Sequence, residues 1–188
     1  MEIESIAIEL NRLSEAVSLG LFDEAMNGVD ILYQQINEDT ERDALFFTIM
    51  SNIASIFIDV GHMKPCVNSA QKGLDILNEH KNEVIEQIGE DAYFYNLSNA
   101  KSSLISEKNP FDYTFSTIEQ LIEIKTDLWK AIKSFSNKNS GKIEPTYIVN
   151  LGNSLKQQFR IAEAIECYDL VNKFNLDIPQ SWINRSET

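Results

Sequence analysis

The sequence has few residues that break helices and few cysteine or histidine residues that could bind a transition metal. Its 188 residues include only 4 prolines, 7 glycines, 2 cysteines and 2 histidines. So few turn-forming residues argue against a β-sandwich or barrel, whose short strands need frequent turns. Cys66 and Cys167 lie far apart, and His62 and His80 have no metal-ligand spacing. We therefore expect buried cysteines, no metal site and no cofactor.

The sequence also lacks a long apolar run and a basic amino terminus. No stretch approaches the roughly 18 consecutive apolar residues that a transmembrane helix needs. The first residues, MEIESIAIEL, are acidic where a signal peptide is basic. These absences predict a cytoplasmic protein that does not insert into membranes.

Positive charge is scarce, above all in the first third of the chain. The formal net charge is −13, and residues 1–60 hold 12 acidic and only 2 basic side chains. Such a surface repels a phosphate backbone, so direct nucleic-acid binding is not expected. The acidic third either faces a basic partner or keeps the protein soluble.

What the sequence does contain is helical periodicity, because apolar residues recur at three- and four-residue spacing almost throughout. The pattern predicts an all-α single domain of antiparallel hairpins with the following approximate bounds: 3–37, 42–79, 91–136, 145–176, and a further first helix at 179–188. A break is expected at Asn109-Pro110, since the residue before proline is disfavoured in a helix. The long helix that follows is expected to bury these residues: Ile118, Leu121, Ile122, Ile124, Leu128, Trp129 and Ile132.

Short segments repeat along this helical chain. YNLSNA at residues 95–100 and VNLGNS at 149–154 share one pattern, and WINRSE repeats its beginning. Asn184 follows Asn150 by 34 residues. A fixed period of this length indicates a helical-repeat architecture, in which hairpins stack because each alone leaves its apolar face uncovered.

The unit from Pro145 to Ile178 resembles the tetratricopeptide repeat. It carries a Leu-Gly pair ending at Gly152, then Ala164 and the aromatic Tyr168, in the order of that family's pattern. Gly152 and Ala164 are expected where the two helices cross closely. The resemblance implies a right-handed α-solenoid.

A more specific likeness covers about residues 92–188. The order of AYFYNLSNA, a long insertion, the 147–174 unit and PQSWINRSE resembles the amino-terminal repeat region of bacterial proteins that carry a HEPN domain. HEPN nucleases need an Arg followed four to six residues later by His. Neither His62 nor His80 has an Arg in the ten residues before it, so we expect no catalytic half here. We also expect the natural protein to continue beyond Thr188, because PQSWINRSET matches a first helix without its partner.

The resemblance places binding residues on the first helices, which line the concave surface in this family. Asn99 and Asn153 occupy groove-facing positions, where an amide can bond a peptide backbone. The full predicted set for binding a protein is Tyr95, Asn99, Val149, Asn153, Lys156 and Gln157. Tyr95 and Val149 stand where carboxylate-binding repeats carry lysine. The alternative for Asn99 and Asn153 is that their side chains only stabilise the stacking of helices. The same interpretation is favoured for the asparagines at 96, 150 and 184.

These expectations combine into a non-catalytic protein-interaction module that holds a protein or peptide segment in its groove. The family likeness suggests the regulatory or sensor region of a larger HEPN-ribonuclease-like defence or toxin protein. A stand-alone adaptor is the alternative. A self-associating scaffold, pairing through the apolar carboxy-terminal edge at Trp182, is a further form of that alternative.

Overall fold

The computed structural model describes residues 3–36, 63–105, 109–174 and 178–188, and all regular structure in those ranges is helical. The all-α prediction is therefore confirmed. The helices are α1 (Ile3–Ser18), α2 (Phe22–Ile36), α3 (Met63–Glu79), α4 (Lys81–Ile88), α5 (Glu90–Ile105), α6 (Phe115–Lys138), α7 (Pro145–Gln157), α8 (Ile161–Lys173) and α9 (Pro179–Ser186), with a 3-10 turn at Pro110–Asp112. Within these ranges, no helix combines the length and apolarity required to cross a membrane.

The chain divides into two compact units. One consists of Met1–Gln87 with Asn99–Glu107, and the other of Ile88–Ser98 with Lys108–Thr188. Helix α5 contributes its first half to the second unit and its second half to the first.

In the first unit, α1 and α2 pack together as the predicted hairpin. Gly20 ends α1 with a φ of 75°, a conformation that glycine adopts without a side-chain clash, and Leu21 N donates to Ala16 O at 2.9 Å. The hairpin core is formed by Ile6, Leu10, Leu13, Ala25, Val29 and Leu32. The first helix predicted for the 42–79 hairpin lies largely outside the described residues, and α3 matches its second helix.

In the second unit, α6 packs against α7, α7 against α8, and α8 against α9. The Asn109 side chain accepts a hydrogen bond from Phe111 N at 3.0 Å, which confirms the break predicted before Pro110. Thr114 caps α6 by accepting from Thr117 N at 3.2 Å. Pro145 begins α7, where its missing N–H leaves no helical bond unmade.

The buried side of α6 differs from the sequence prediction. Leu121, Ile124, Leu128 and Ile132 are buried, but Ile118, Ile122 and Trp129 are 45%, 47% and 54% exposed. The prediction was therefore wrong for these three. They lie on a neighbouring stripe of the helix, and three- and four-residue spacings connect both stripes. Periodicity shows that a helix is amphipathic but not how wide a face its neighbours cover.

The crossing of α7 and α8 agrees with the sequence prediction. Ala164 is fully buried, and Gly152 lies directly against the Tyr168 ring. A Cβ atom added at Gly152 would lie 2.5 Å from Tyr168 Cε1 and 2.9 Å from Cζ. Because the ring itself is fully buried, it has little room to move away.

We predict that Gly152→Ala destabilises the protein by about 1–2 kcal/mol, because overpacking a rigid ring outweighs the gain in helix propensity. Denaturant unfolding measures the loss. In a Tyr168→Ala background the same change should be neutral or stabilising, since the obstructing ring is gone. Equal losses in both backgrounds would contradict the close crossing.

Candidate protein-binding surfaces

Asn153 joins three helices through one atom. Its Oδ1 accepts hydrogen bonds from Tyr168 Oη on α8 and from Asn184 Nδ2 on α9, both at 2.8 Å. An amide oxygen has two lone pairs, so both are occupied within the protein. A second hydrogen bond connects α9 to α8, because Ser181 Oγ of α9 donates to Asn172 Oδ1 of α8.

An aromatic cluster connects α5, α6 and α7. The Tyr147 ring stacks on Tyr95 with centroids 4.5 Å apart, and Phe135 meets its edge at 5.9 Å. Tyr147 Oη donates to Asp91 Oδ2 at 3.3 Å. Burial, followed by the charge of Asp91, raises the pKa of Tyr147 well above its usual range. Asn150 Nδ2 donates to Tyr95 Oη at 3.1 Å, which closes the cluster.

The predicted binding residues occupy unequal positions. Val149 is 4% exposed, which leaves a ligand little of its surface. Lys156 Nζ lies 4.0 Å from the Glu187 carboxylate on the segment after α9. Gln157 is half-buried at the end of α7, and Tyr95 is held in the aromatic cluster.

Asn99 belongs to the other compact unit, where its carbonyl oxygen accepts from Ser103 Oγ at 3.0 Å. Val149, Asn153, Lys156 and Gln157 therefore all lie on α7, and Gln157 also lines a hollow beside α6. Binding by the six residues stays a prediction.

A different surface emerges between α6 and α8, where sequence patterns indicated only core. The groove there has a volume of about 320 Å³. It is lined by Lys125 and Trp129 of α6, by Ile148, Leu151 and Leu155 of α7, and by Arg160, Glu163, Glu166, Cys167 and Leu170 at or within α8. A second hollow of about 380 Å³ shares Arg160 and extends along Ile118, Ile122 and Phe159. We call the two together the α6–α8 groove.

The floor of the groove is apolar, and its rims carry charged side chains of both signs. Arg160 Nε donates to Glu163 Oε1 at 2.7 Å, and this bond holds the pKa of Glu163 below its usual value, with a smaller contribution from Lys125. Burial raises the pKa of Cys167 to about 11, so at neutral pH it is a thiol that acts as a small apolar side chain. Exposed apolar surface is provided mainly by Ile118, Ile122, Trp129, Phe159 and Leu170.

Comparisons with known proteins add no assignment. No protein-family model matches the chain, and no curated protein matches it. Among solved structures, the chain is similar to BtubC (BKLC) from P. vanneervenii, with 14% identity and a TM-score of 0.34 over 93% of this chain and 89% of that chain. A similarity at this level is too weak to assign a fold or a function.

We predict that Asn153→Ala lowers the free energy of unfolding by about 1–3 kcal/mol, because Tyr168 and Asn184 both lose their acceptor. Asn153→Asp keeps an acceptor oxygen and should lose clearly less in the same unfolding measurement. Tyr168→Phe should partly mask the effect of the alanine, since one of the two bonds is then already absent. Equal losses for the Ala and Asp variants would argue against the shared acceptor.

The tyrosines also predict how stability responds to alkali. Burial is the first cause that raises the pKa of Tyr147, and it raises that of Tyr168 to about 12. Above pH about 10 the unfolded tyrosines release protons that the folded ones keep, so stability is lost as pH rises from there. Tyr147→Phe should flatten this decline in unfolding experiments at rising pH. An unchanged slope would contradict burial of its hydroxyl beside Asp91.

Proposed function

We propose that the chain is a non-catalytic protein-interaction module, built from tetratricopeptide-like hairpins in a right-handed solenoid, that binds a segment of a partner protein. The observation that carries this proposal is the α6–α8 groove. Its walls keep Ile122, Trp129 and Leu170 at 47%, 54% and 39% exposure over an apolar floor. Contiguous exposed apolar surface of this kind is typical of interaction sites.

Repetition of contacts supports the solenoid. Asn150 and Asn184 stand one period apart, and each donates a hydrogen bond to the first helix of the preceding hairpin. Asn150 reaches Tyr95 on α5, and Asn184 reaches Asn153 on α7. The two acceptors occupy different repeat positions, because Tyr95 aligns with Val149 and Asn153 aligns with Asn99. The shared feature is a hydrogen bond between successive first helices, which is expected where hairpins stack.

The groove suits a helical or extended segment that presents a few apolar side chains. The apolar wall of α6 has Ile118, Ile122 and Trp129 at spacings of four and seven residues, so they share one face. A partner with apolar residues at helical spacing would seat them between this wall and Leu170. The two hollows, of about 320 and 380 Å³, offer room for several side chains.

The first-helix surface predicted from the family resemblance offers less. The Asn153 oxygen is already occupied, and Val149 is buried, so a peptide backbone would find mainly Lys156 and the Asn153 amide nitrogen there. Geometry therefore favours the α6–α8 groove as the binding surface.

The wider biological role is also a proposal. In the HEPN setting, the module would dock or restrain the effector of its own protein. An Arg-x4–6-His motif further along the full reading frame would support that setting. A stand-alone adaptor, or a scaffold that self-associates through Trp182, is the alternative.

The binding proposal is tested by selecting a displayed peptide library on the immobilised protein and titrating the selected peptides. Trp129→Ala should weaken their binding at least tenfold, because the groove loses its largest apolar wall residue. Trp182→Ala is the matched control, since Trp182 is similarly exposed, at 59%, on α9. It should change affinity less than threefold.

Three other outcomes would overturn all or part of this proposal. Failure to enrich any peptide above an unrelated helical protein would remove the proposed function. A larger loss for Trp182→Ala would move the site to the carboxy-terminal edge. Asn153→Asp keeps the internal acceptor but replaces the Nδ2 donor. If this variant loses peptide affinity while Trp129→Ala does not, the binding site lies on the first helices instead.

A further inference from the structure

One short region of this acidic protein has the opposite charge. Residues 125–142 contain five lysines and a single acidic residue, Asp127, whereas the rest of the chain has 28 acidic and 11 basic side chains. The region covers the second half of α6 and the turn that follows it. Five lysines against one acidic residue give this segment a positive charge balance within a negative chain, which attracts anions.

Two of these lysines line a depression on the side of α6 next to α5. The depression has a volume of about 260 Å³ and is lined by Glu90, Phe94, Lys130, Lys133, Ser134 and Asn137. We call it the Lys130–Lys133 depression. Trp129 precedes Lys130 in sequence and forms part of the α6–α8 groove. Trp129, Lys130 and Lys133 also line one further hollow along α6, of about 480 Å³, so the apolar groove and the cationic depression adjoin across this helix.

The two lysine side chains differ in their contacts, but both are exposed. Lys130 Nζ lies 2.9 Å from Asp127 Oδ1 and 4.8 Å from the centroid of the Phe94 ring, yet the side chain is 50% exposed. Lys133 is exposed and makes no ion pair within the part of the chain that the structure describes. The Glu90 carboxylate accepts from Ser134 Oγ at 2.9 Å.

The chemistry of the depression fits a carboxylate. Lysine ammonium groups and the Asn137 amide are hydrogen-bond donors, and charge-assisted bonds from lysine to carboxylate are roughly twice as strong as bonds between neutral groups. Phe94 adds an apolar surface beside them. A bound segment that crosses α6 would meet apolar groove on one side and cationic groups on the other.

We propose that the partner segment is acidic next to its apolar anchors, and that Lys130 and Lys133 bind its carboxylates. This inference rests on the proposed protein-binding function and names the chemistry of the partner. The apolar residues occupy the α6–α8 groove, and the neighbouring Asp or Glu residues lie over the Lys130–Lys133 depression.

A peptide fits these groups better than a nucleic acid. A nucleic-acid strand carries one phosphate about every 3.4 Å, so it would soon extend beyond the lysines of a chain whose other residues include 28 acidic and only 11 basic side chains. Glu90 and Asp127 also stand within the site. A short acidic segment can place its few carboxylates on Lys130 and Lys133 alone.

The test uses the full chain and repeats the library selection on wild type and on the variant Lys130→Glu/Lys133→Glu. Peptides selected on wild type should be enriched in Asp and Glu beside apolar residues. They should bind the variant at least tenfold more weakly, which corresponds to about 1.4 kcal/mol. Their affinity for wild type should fall as salt is raised.

Lys142→Glu/Lys173→Glu is the matched control, because it makes the same charge change at two exposed positions outside the depression. This control variant should lower the affinity for the selected peptides less than threefold. Replacing the acidic residues of the peptide by glutamine should weaken binding to wild type but hardly change binding to Lys130→Glu/Lys133→Glu. That coupling assigns the effect to direct pairing rather than to net charge.

Neutral or basic selected peptides, or equal losses in the two double variants, would overturn the inference. If the binding of selected peptides depends on Trp129 but not on the lysines, the proposal of a binding site in the α6–α8 groove is retained and the proposal of an acidic partner is rejected. If a poly-uridine oligonucleotide binds more tightly than the peptides, and its binding depends on Lys130 and Lys133, the ligand of this depression is a nucleic acid rather than a peptide. Circular dichroism of each variant confirms that its helices are intact.

Discussion

The second compact unit depends on how Tyr168 is placed. Its ring fills the space that the missing side chain of Gly152 leaves open, and its hydroxyl bonds the Asn153 oxygen that also receives Asn184. One residue thus sets the separation of α7 and α8, and through Asn153 it fixes α9 to the same pair. Because the ring is fully buried, these contacts tolerate little change in size or polarity. Asn150, Asn153 and Asn184 join helices through their side chains, so our proposal assigns binding to another surface.

Apolar surface stays exposed where the helices do not cover one another. Helix α6 buries one face against its neighbours, yet a second apolar stripe with Trp129 stays open beside α8. Apolar side chains that stay in water forgo the favourable free energy of burial. A partner that covers them would gain roughly 25 cal/mol per Å² of apolar area buried. The lysines on the other side of α6 add charge selectivity to that apolar attraction. One helix then carries both the affinity and the specificity in our proposal.

The sequence predicted the α1–α2 hairpin and the α7–α8 crossing well, because both follow from local rules. Periodicity placed α1, α2, α7 and α8, Pro110 marked a break, and the Gly152–Ala164 pair indicated close packing. It did not predict that Ile118, Ile122 and Trp129 would be exposed, because that depends on which helices lie nearby rather than on their spacing. Nor could it show that the Asn153 oxygen is occupied, since its partners are 15 and 31 residues away. The excess of lysine at residues 125–142 was readable from composition and would have pointed to α6.

The central claim is that a partner binds on the exposed side of α6. Amide chemical shifts followed by NMR during titration with a selected peptide test it most directly, since they report the location of contact residue by residue. The account predicts perturbations along α6 from Ile118 to Lys133 and across the groove near Leu170. Perturbations confined to α7 and α9 around Asn153 and Asn184, with α6 unchanged, would contradict it.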